Sequence, residues 1–415
     1  MLLLSGRGPN VLQIVGATLL TLFAVSAPAL SQTGAAPFGL TPDQQAIVDL
    51  VANSPHGEKR RFAAASSDSV GAEIRLPIRE GHYVTLVRKG TAIQKDGSIS
   101  WQGEVEETGE RAVLMLWGNA LLTGHFAYQG TIFTVESLGG GVHTFAEMER
   151  RKLPQDHPPP ASRDVPPTPG NEWKALRMPP PSPRVALFPD AQRQALEAKA
   201  ITIDVMILYT SKAASHYVRD PADLLALSIE DANQTFRSSG LGNVNLRLVH
   251  SQLIDYDAST EDQFNHLYRM VDGVGPFKDV KKLRNEKRAD IVGLIIDNPD
   301  GCGLSTRVGA DQDEAFFVVH HACATVSMSI PHEVGHILGA RHDRFVDQSD
   351  SYGHGYVYGR KWRDLMSYNV GCGGCPRMPF WSNPRVMYEG EPTGTTAADN
   401  ARIVLENAER VSNFR

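Results

Sequence analysis

Pro331-His332-Glu333-Val334-Gly335-His336-Ile337-Leu338-Gly339-Ala340-Arg341-His342-Asp343 is the stretch on which the reading of this chain turns. Wound into a helix, His332 and His336 are four residues apart and project from one face, so two imidazole nitrogens converge on one metal ion. Gly339 suits the place where that helix must stop, because glycine takes positive φ without strain, and the chain can then swing back to present His342 as a third ligand. Three histidines leave the fourth position of a zinc ion open to water and substrate. Glu333, beside the first ligand, can take a proton from a water acidified by the metal and deliver it to a leaving amine. The residue types and spacing together predict metal-assisted hydrolysis. The bland alternative, ordinary histidines on an unrelated helix, needs all the spacings to coincide by accident.

His332-Glu333-x-x-His336-x-x-Gly339-x-x-His342 resembles the metzincin zinc signature, and Asp343 after the third histidine is similar to the adamalysin (reprolysin) branch. The resemblance implies a catalytic domain of α/β (α+β) class over about residues 198–415, with a central twisted sheet and a zinc-binding helix. It implies one catalytic zinc ion and endopeptidase action on proteins or peptides. It further implies a methionine turn beneath the metal, and Asp364-Leu365-Met366-Ser367-Tyr368-Asn369 looks like one, with Met366 as the apolar floor. Tyr368 stands where adamalysins carry proline, as in astacins and serralysins. In those branches the phenol helps stabilise the oxyanion of the tetrahedral intermediate, while a buried tyrosine with a structural hydrogen bond is the other reading.

Flanking text carries a narrower likeness. Gly301-Cys302-Gly303-Leu304-Ser305, the run Val318 to Thr325, Cys375-Pro376-Arg377 and Phe380-Trp381-Ser382-Asn383-Pro384 together resemble bacterial peptidyl-Asp metalloendopeptidases. That resemblance implies cleavage on the N-terminal side of aspartate, and of glutamate or oxidised cysteine. A pocket selecting a carboxylate needs a desolvated cation, best an arginine. Since metzincins build the wall of this pocket just after the methionine turn, Arg377 and Arg385 are the candidates, with Arg341 third. For each of them a surface ion pair is the competing assignment. His320 and His321 read as strand-end residues rather than ligands.

The rest of the 415 residues frames this segment. That length exceeds the roughly 250–300 residues at which one core stops growing, so two domains are expected. Basic and acidic side chains number 41 and 47, a net charge of -6 with no basic tract, which gives no sign of a nucleic-acid or membrane-surface partner. Arg7, the apolar run Val11 to Ala27 and the small residues through Ser31 read as a secretory signal peptide (residues 1–31), cut after Ala29 or Ser31; an uncleaved anchor is the alternative. Export to an extracellular or periplasmic destination agrees with the even set of Cys302, Cys323, Cys372 and Cys375. Pairing 302 with 323 and 372 with 375 is preferred, over Cys372-Gly-Gly-Cys375 as half of a structural zinc site.

Prolines at 158–160, 166–167, 169 and 179–181 mark residues 153–197 as a linker of extended, water-exposed chain. Upstream, apolar β-branched runs at His82 to Arg88, Ser98 to Val105 and Ala112 to Trp117 make residues 32–152 a β-rich domain. Downstream, strands are expected at Ile201 to Tyr209, Val244 to Leu253, Asp290 to Ile296 and Ala315 to His320, and a helix at Pro221 to Phe236, an alternation of the α/β or α+β class. The sense of the last strand is not readable. A domain between signal peptide and linker reads as an inhibitory propeptide, with Arg150-Arg151-Lys152 or the proline run as cleavage points, or else as a retained binding module. No cysteine precedes Cys302, so a propeptide thiolate on zinc is excluded. The acidic residues between Asp297 and Asp313 lack the spaced glycine of a calcium loop and read as solvated. A noncatalytic zinc-containing binder or toxin component is the second function class; the intact Glu333 argues against it.

Overall fold

The computed structural model describes residues 41–52, 60–64, 72–79, 81–94, 97–117, 121–148, 153–156, 188–217 and 221–415. The signal-peptide segment, Arg150-Arg151-Lys152 and the proline run lie outside the described residues. No helix among those described is long and apolar enough to cross a membrane.

Helix α1 (Pro42–Ala52) precedes β1 (Arg60–Ala64), β2 (Glu73–Arg79), β3 (His82–Ile93), β4 (Ile99–Val105), β5 (Arg111–Trp117), β6 (Leu121–Tyr128), β7 (Thr131–Gly139) and β8 (Val142–Met148). They form one antiparallel sheet in the order β1-β8-β7-β6-β5-β4-β3-β2. Side chains alternate across a strand, so Leu114 joins Trp101, Leu86, Phe126 and Phe133 in the sheet's own core while Val113 and Met115 point the other way. Those two residues pack on Leu224 and Leu227 of the second domain. At the rim of that contact Arg111 pairs with the buried Asp231, and His125 Nε2 lies 3.6 Å from the same carboxylate. Burial alone would raise the Asp231 pKa, but Arg111 and His125 beside it hold it at about 2.

The second domain runs through α2 (Asp190–Glu197), β9 (Ile201–Thr210), α3 (Ser211–Ala214), α4 (Ala222–Ser238), β10 (Val244–Ile254), α5 (Gln263–Asp272), α6 (Val280–Lys287) and β11 (Ile291–Ile296). It continues with β12 (Gly303–Ser305), β13 (Phe316–His320), α7 (His321–Val326), α8 (Ser329–Leu338) and α9 (Asn400–Val411). The sheet order is β10-β9-β11-β13-β12, with β12 alone antiparallel to its neighbour. Parallel strands need crossovers, which cover both faces, and every residue of β11 is accordingly buried. Ile203, Val205 and Ile207 of β9 face α4, α8 and α9, whereas Met206 and Leu208 face α5 and α6. Phe236, at the end of α4, stacks on Trp381 with centroids 5.6 Å apart. This layer sets α8 against the short edge strand β12, the arrangement that builds the site.

The linker is shorter than its composition suggests. Asp190 to Glu197 is helical, since Ala, Gln, Leu and Glu favour a helix and Arg193 pairs with Glu197 one turn on at 2.8 Å. At the other end, Leu153 packs against the core of the second domain rather than lying free in water.

Candidate metal centre

Helix α8 carries Pro331 in its first turn, where a missing N–H costs nothing, and is buried along its whole length. It stops at Gly339, whose φ of +102° is open to glycine and whose amide closes on the carbonyls of Gly335 and His336. Asn400, at the start of α9, then grips both main-chain groups of one residue: its Oδ1 accepts from Arg341 N at 3.1 Å and its Nδ2 donates to Arg341 O at 3.0 Å. His342 is thereby returned toward the helix. His342 Nε2 lies 3.3 Å from His332 Nε2 and 2.9 Å from His336 Nε2.

Those separations match a tetrahedral ion, for zinc–nitrogen bonds of about 2.0–2.1 Å put two ligands on the order of 3.3 Å apart. The outer nitrogens are also committed. Nδ1 of His332 donates to Leu365 O at 2.9 Å, and Nδ1 of His336 to Ala340 O at 2.9 Å, which leaves each Nε2 lone pair facing inward. Burial pushes His336 down to about 4, so its imidazole is neutral, the form that ligates. Three convergent imidazole nitrogens fit a zinc ion better than calcium or magnesium, which take oxygen ligands.

Glu333 lies under β12. A Cβ on Gly303 would stand 2.6 Å from Glu333 Oε1, so the edge strand passes over the carboxyl only because that residue has no side chain. Burial raises the Glu333 pKa well above the usual carboxylate range, with Ser305 and Arg377 pulling the other way. Met366 is fully buried, and Gly335 makes room for it and for Trp381: a Cβ there would meet Trp381 at 2.4 Å and Met366 Sδ at 3.1 Å.

Asp343 ties the loop after His342 to the turn that carries Met366 and Tyr368. Its Oδ2 accepts from Tyr368 N at 2.7 Å and its Oδ1 from Phe345 N at 2.9 Å. Asp364, raised to about 6 by burial, accepts from Ser367 Oγ at 2.5 Å and Ser382 N at 2.9 Å. The Tyr368 ring lies 4.4 Å from that of His342, and burial, then the Glu333 and Asp156 carboxylates, keep its phenol protonated as a donor. The bonding roles of Asp364 and Asn400 have no signal in the sequence, since each depends on chain brought in from elsewhere.

The three arginines expected to set specificity separate. Arg377 reaches the centre: its Nη1 donates to Ser327 O at 3.0 Å, and its Nη2 stands 3.4 Å from His332 Nδ1. Arg385 does not, because Asp399 holds it in a two-bond pair at 2.6 and 2.8 Å. Arg341 is likewise spent on Asp347 at 3.0 Å. Arg363, ahead of the methionine turn and outside the stretch singled out for this role, stands where Arg385 was expected, bonded to Ser367 O and, at 3.1 Å, to Asp156. Burial, then the neighbouring Arg377 charge, lowers Arg363 to about 10.

His320 ends β13 and caps α7 through its Nδ1, which accepts from Ala322 N at 3.2 Å. His321 stacks on His216 at 3.9 Å beside Asp297, whose carboxylate also holds Lys212 at 3.2 Å. Asp297, expected in a solvated loop, is thus part of a cluster at the strand ends. Cysteines pair as Cys302–Cys323 and Cys372–Cys375, with Cα separations of 5.4 and 5.6 Å. The first closes 21 residues and fastens the start of β12 to α7, worth roughly 3 kcal/mol in chain entropy.

Residues 199–382 match the model of metallo-peptidase family M12. A relative from Xanthomonas campestris pv. campestris, named peptidyl-Asp metalloendopeptidase, is 29% identical over 410 residues, 94% of this chain and 92% of its own length. One of the same name from Stenotrophomonas maltophilia (strain R551-3) is 29% identical and covers 81% of each chain. A third, from Pseudomonas fragi, is 40% identical over 22% of this chain and 62% of its own. Among solved structures, metalloproteinase-II from Bacteroides fragilis is 12% identical with a TM-score of 0.40, covering 88% of this chain and 94% of that one.

Proposed function

We propose, from the match of residues 199–382 to metallo-peptidase family M12 and the peptide-bond hydrolase that it and the relatives support, that the chain is a secreted zinc endopeptidase cutting before aspartate. The observation that carries the metal assignment is the set of three Nε2 atoms about one point, two of them at 3.3 and 2.9 Å from the third, with the outer nitrogens of His332 and His336 tied to backbone carbonyls. Zinc, when bound by His332, His336 and His342, supplies Lewis acidity that lowers the pKa of water and polarises a carbonyl.

The protein's own groups do the rest. Glu333 accepts the proton of the attacking water and returns it to the departing amine, a transfer suited to a carboxyl whose pKa burial has raised. Tyr368 donates its phenol hydrogen to the carbonyl oxygen as negative charge develops. An extended substrate adds to the sheet along β12, the edge strand of the sheet. The aspartate preference is supported by the relatives' name and by the buried arginine Arg377 beside the first ligand.

The N-terminal sheet is the inhibitory propeptide, docked through the Arg111–Asp231 pair and the Val113, Met115, Leu224 and Leu227 cluster, and residues 1–31 direct export. The test is a peptide-library digest with processed protein beside a Glu333→Ala version and a chelator control, with every cleavage position read by mass spectrometry. Cuts before aspartate that vanish in both controls are expected. Zinc-dependent cuts before apolar residues would discard the acidic preference. An absence of cutting by processed, zinc-loaded protein would overturn the enzyme reading in favour of a binding module.

A further inference from the structure

Arg363 and Arg377 form a buried dication. Their side chains are 10% and 8% exposed, and neither Nε has a hydrogen-bond partner among the described residues. Each spends one Nη1 bond on a main-chain carbonyl, Ser367 O for Arg363 and Ser327 O for Arg377. Two like charges so placed are stable only with an anion between them, since backbone carbonyls offset desolvation but not mutual repulsion.

The anion present comes from the start of the linker. Asp156 Oδ2 lies 3.1 Å from Arg363 Nη1 and 3.6 Å from Arg377 Nη2. One residue earlier, the Gln155 carbonyl accepts from the amide of Cys302 at 2.6 Å, immediately ahead of β12. The segment therefore holds the edge of the cleft by its backbone and the arginine pair by its side chain, the two kinds of contact an extended acidic peptide would use. The cavity here, about 470 Å³, is lined by Leu153, Pro154 and Asp156 on one side and Cys302, Arg363 and Arg377 on the other.

We infer that Arg363 and Arg377 are a receptor for a carboxylate side chain, and that Asp156 occupies it in the unprocessed chain as a tethered competitor of acidic substrates. This rests on the endopeptidase reading and gives its acidic preference a pair of residues. The same carboxylate cannot be shared. A tethered group acts at an effective concentration in the mM range, so binding of a peptide whose intrinsic Kd, like that of the tethered group, is about 100 μM is weakened roughly tenfold. Release of residues 153–156 frees the receptor.

The experiment uses the full chain carrying Glu333→Ala, which prevents self-cleavage, with and without Asp156→Asn. A fluorescent peptide with one internal aspartate is titrated by anisotropy, and hydrogen exchange of residues 153–156 is followed by mass spectrometry. With Asp156→Asn the peptide should bind about tenfold more tightly and segment protection should fall; adding Arg377→Gln should cancel the gain, and a peptide with asparagine in place of aspartate should show none. Unchanged protection overturns the inference whatever the peptide does. Lost protection without tighter binding overturns the receptor. If both shifts appear but processed protein with Glu333 intact cuts nothing, the receptor stands and the endopeptidase reading alone fails.

Discussion

Replacing Gly303 by alanine places a methyl group whose three nearest neighbours are all atoms of the Glu333 side chain. The added Cβ would stand 2.6 Å from Oε1 and 3.0 Å from Cγ and Cδ, whereas ordinary contact begins at 3.4 Å, so the carboxyl must retreat by about 0.8 Å. Gly303 sits in extended strand opposite Val319, a conformation alanine adopts freely, so the backbone carries no penalty. A shift approaching 1 Å at a reacting group costs on the order of 10²-fold in rate. The expectation is a 30- to 100-fold loss in kcat/KM, about 2–3 kcal/mol of transition-state stabilisation, with zinc content unchanged because no imidazole is touched. The assay is continuous hydrolysis of a quenched peptide by processed protein, with metal analysis of the same sample. A variant carrying full zinc and working within threefold of the parent would refute the claim that Gly303 is kept bare for Glu333.

Gly335→Ala drives a methyl into Trp381 at 2.4 Å and toward Met366 Sδ at 3.1 Å, and should cost about 1–3 kcal/mol as overpacking, read as a fall in Tm of the zinc-bound protein. Asp343→Ala removes two charge-assisted acceptors from the amides of Phe345 and Tyr368, and should cost roughly 2–4 kcal/mol in denaturant unfolding. For Asp231, whose pKa is held at about 2 against an ordinary 3.8, the sign is that of a depressed carboxylate. Its contribution, roughly 2 kcal/mol, is full above about pH 4 and lost as pH falls to 2, and Asp231→Asn should flatten that part of the stability profile of the unprocessed chain.

Legibility in the sequence followed the range of the interactions. His332, His336, Glu333 and Gly339 could be placed from spacing alone because one helix and its cap fix them locally, whereas the return of His342 also depends on Asn400. Strands β9, β11 and β13 were visible as apolar runs, since strands buried largely on both faces carry little else, whereas β10, at the sheet edge and mostly half-buried or exposed, was found from a more mixed run. The parallel sense of β13 was not, because it is set by crossovers rather than by composition. Nor was the helix Asp190–Glu197, hidden by the prolines just before it. The fasteners of the site, Asn400 on the main chain of Arg341 and Asp364 on Ser382, join residues 59 and 18 apart, and no local pattern marks such a pair.

The specificity arginines show why counting cations near a motif is a weak guide. A cation's availability is decided by which anions reach it first, and those anions lie elsewhere in the chain. Asp399 caps the N-terminus of α9 through Arg402 N and so presents both oxygens to Arg385, while Asp347 folds back on Arg341 from six residues away. Both arginines are thereby neutralised within the catalytic domain itself, whatever happens to the linker. Arg363 and Arg377 differ in that their nearest carboxylate, Asp156, belongs to a segment upstream of the domain. Cutting the chain after Asp156 and releasing the upstream piece would leave Arg341 and Arg385 paired as before, and only Arg363 and Arg377 with positive charge to offer an incoming acidic side chain.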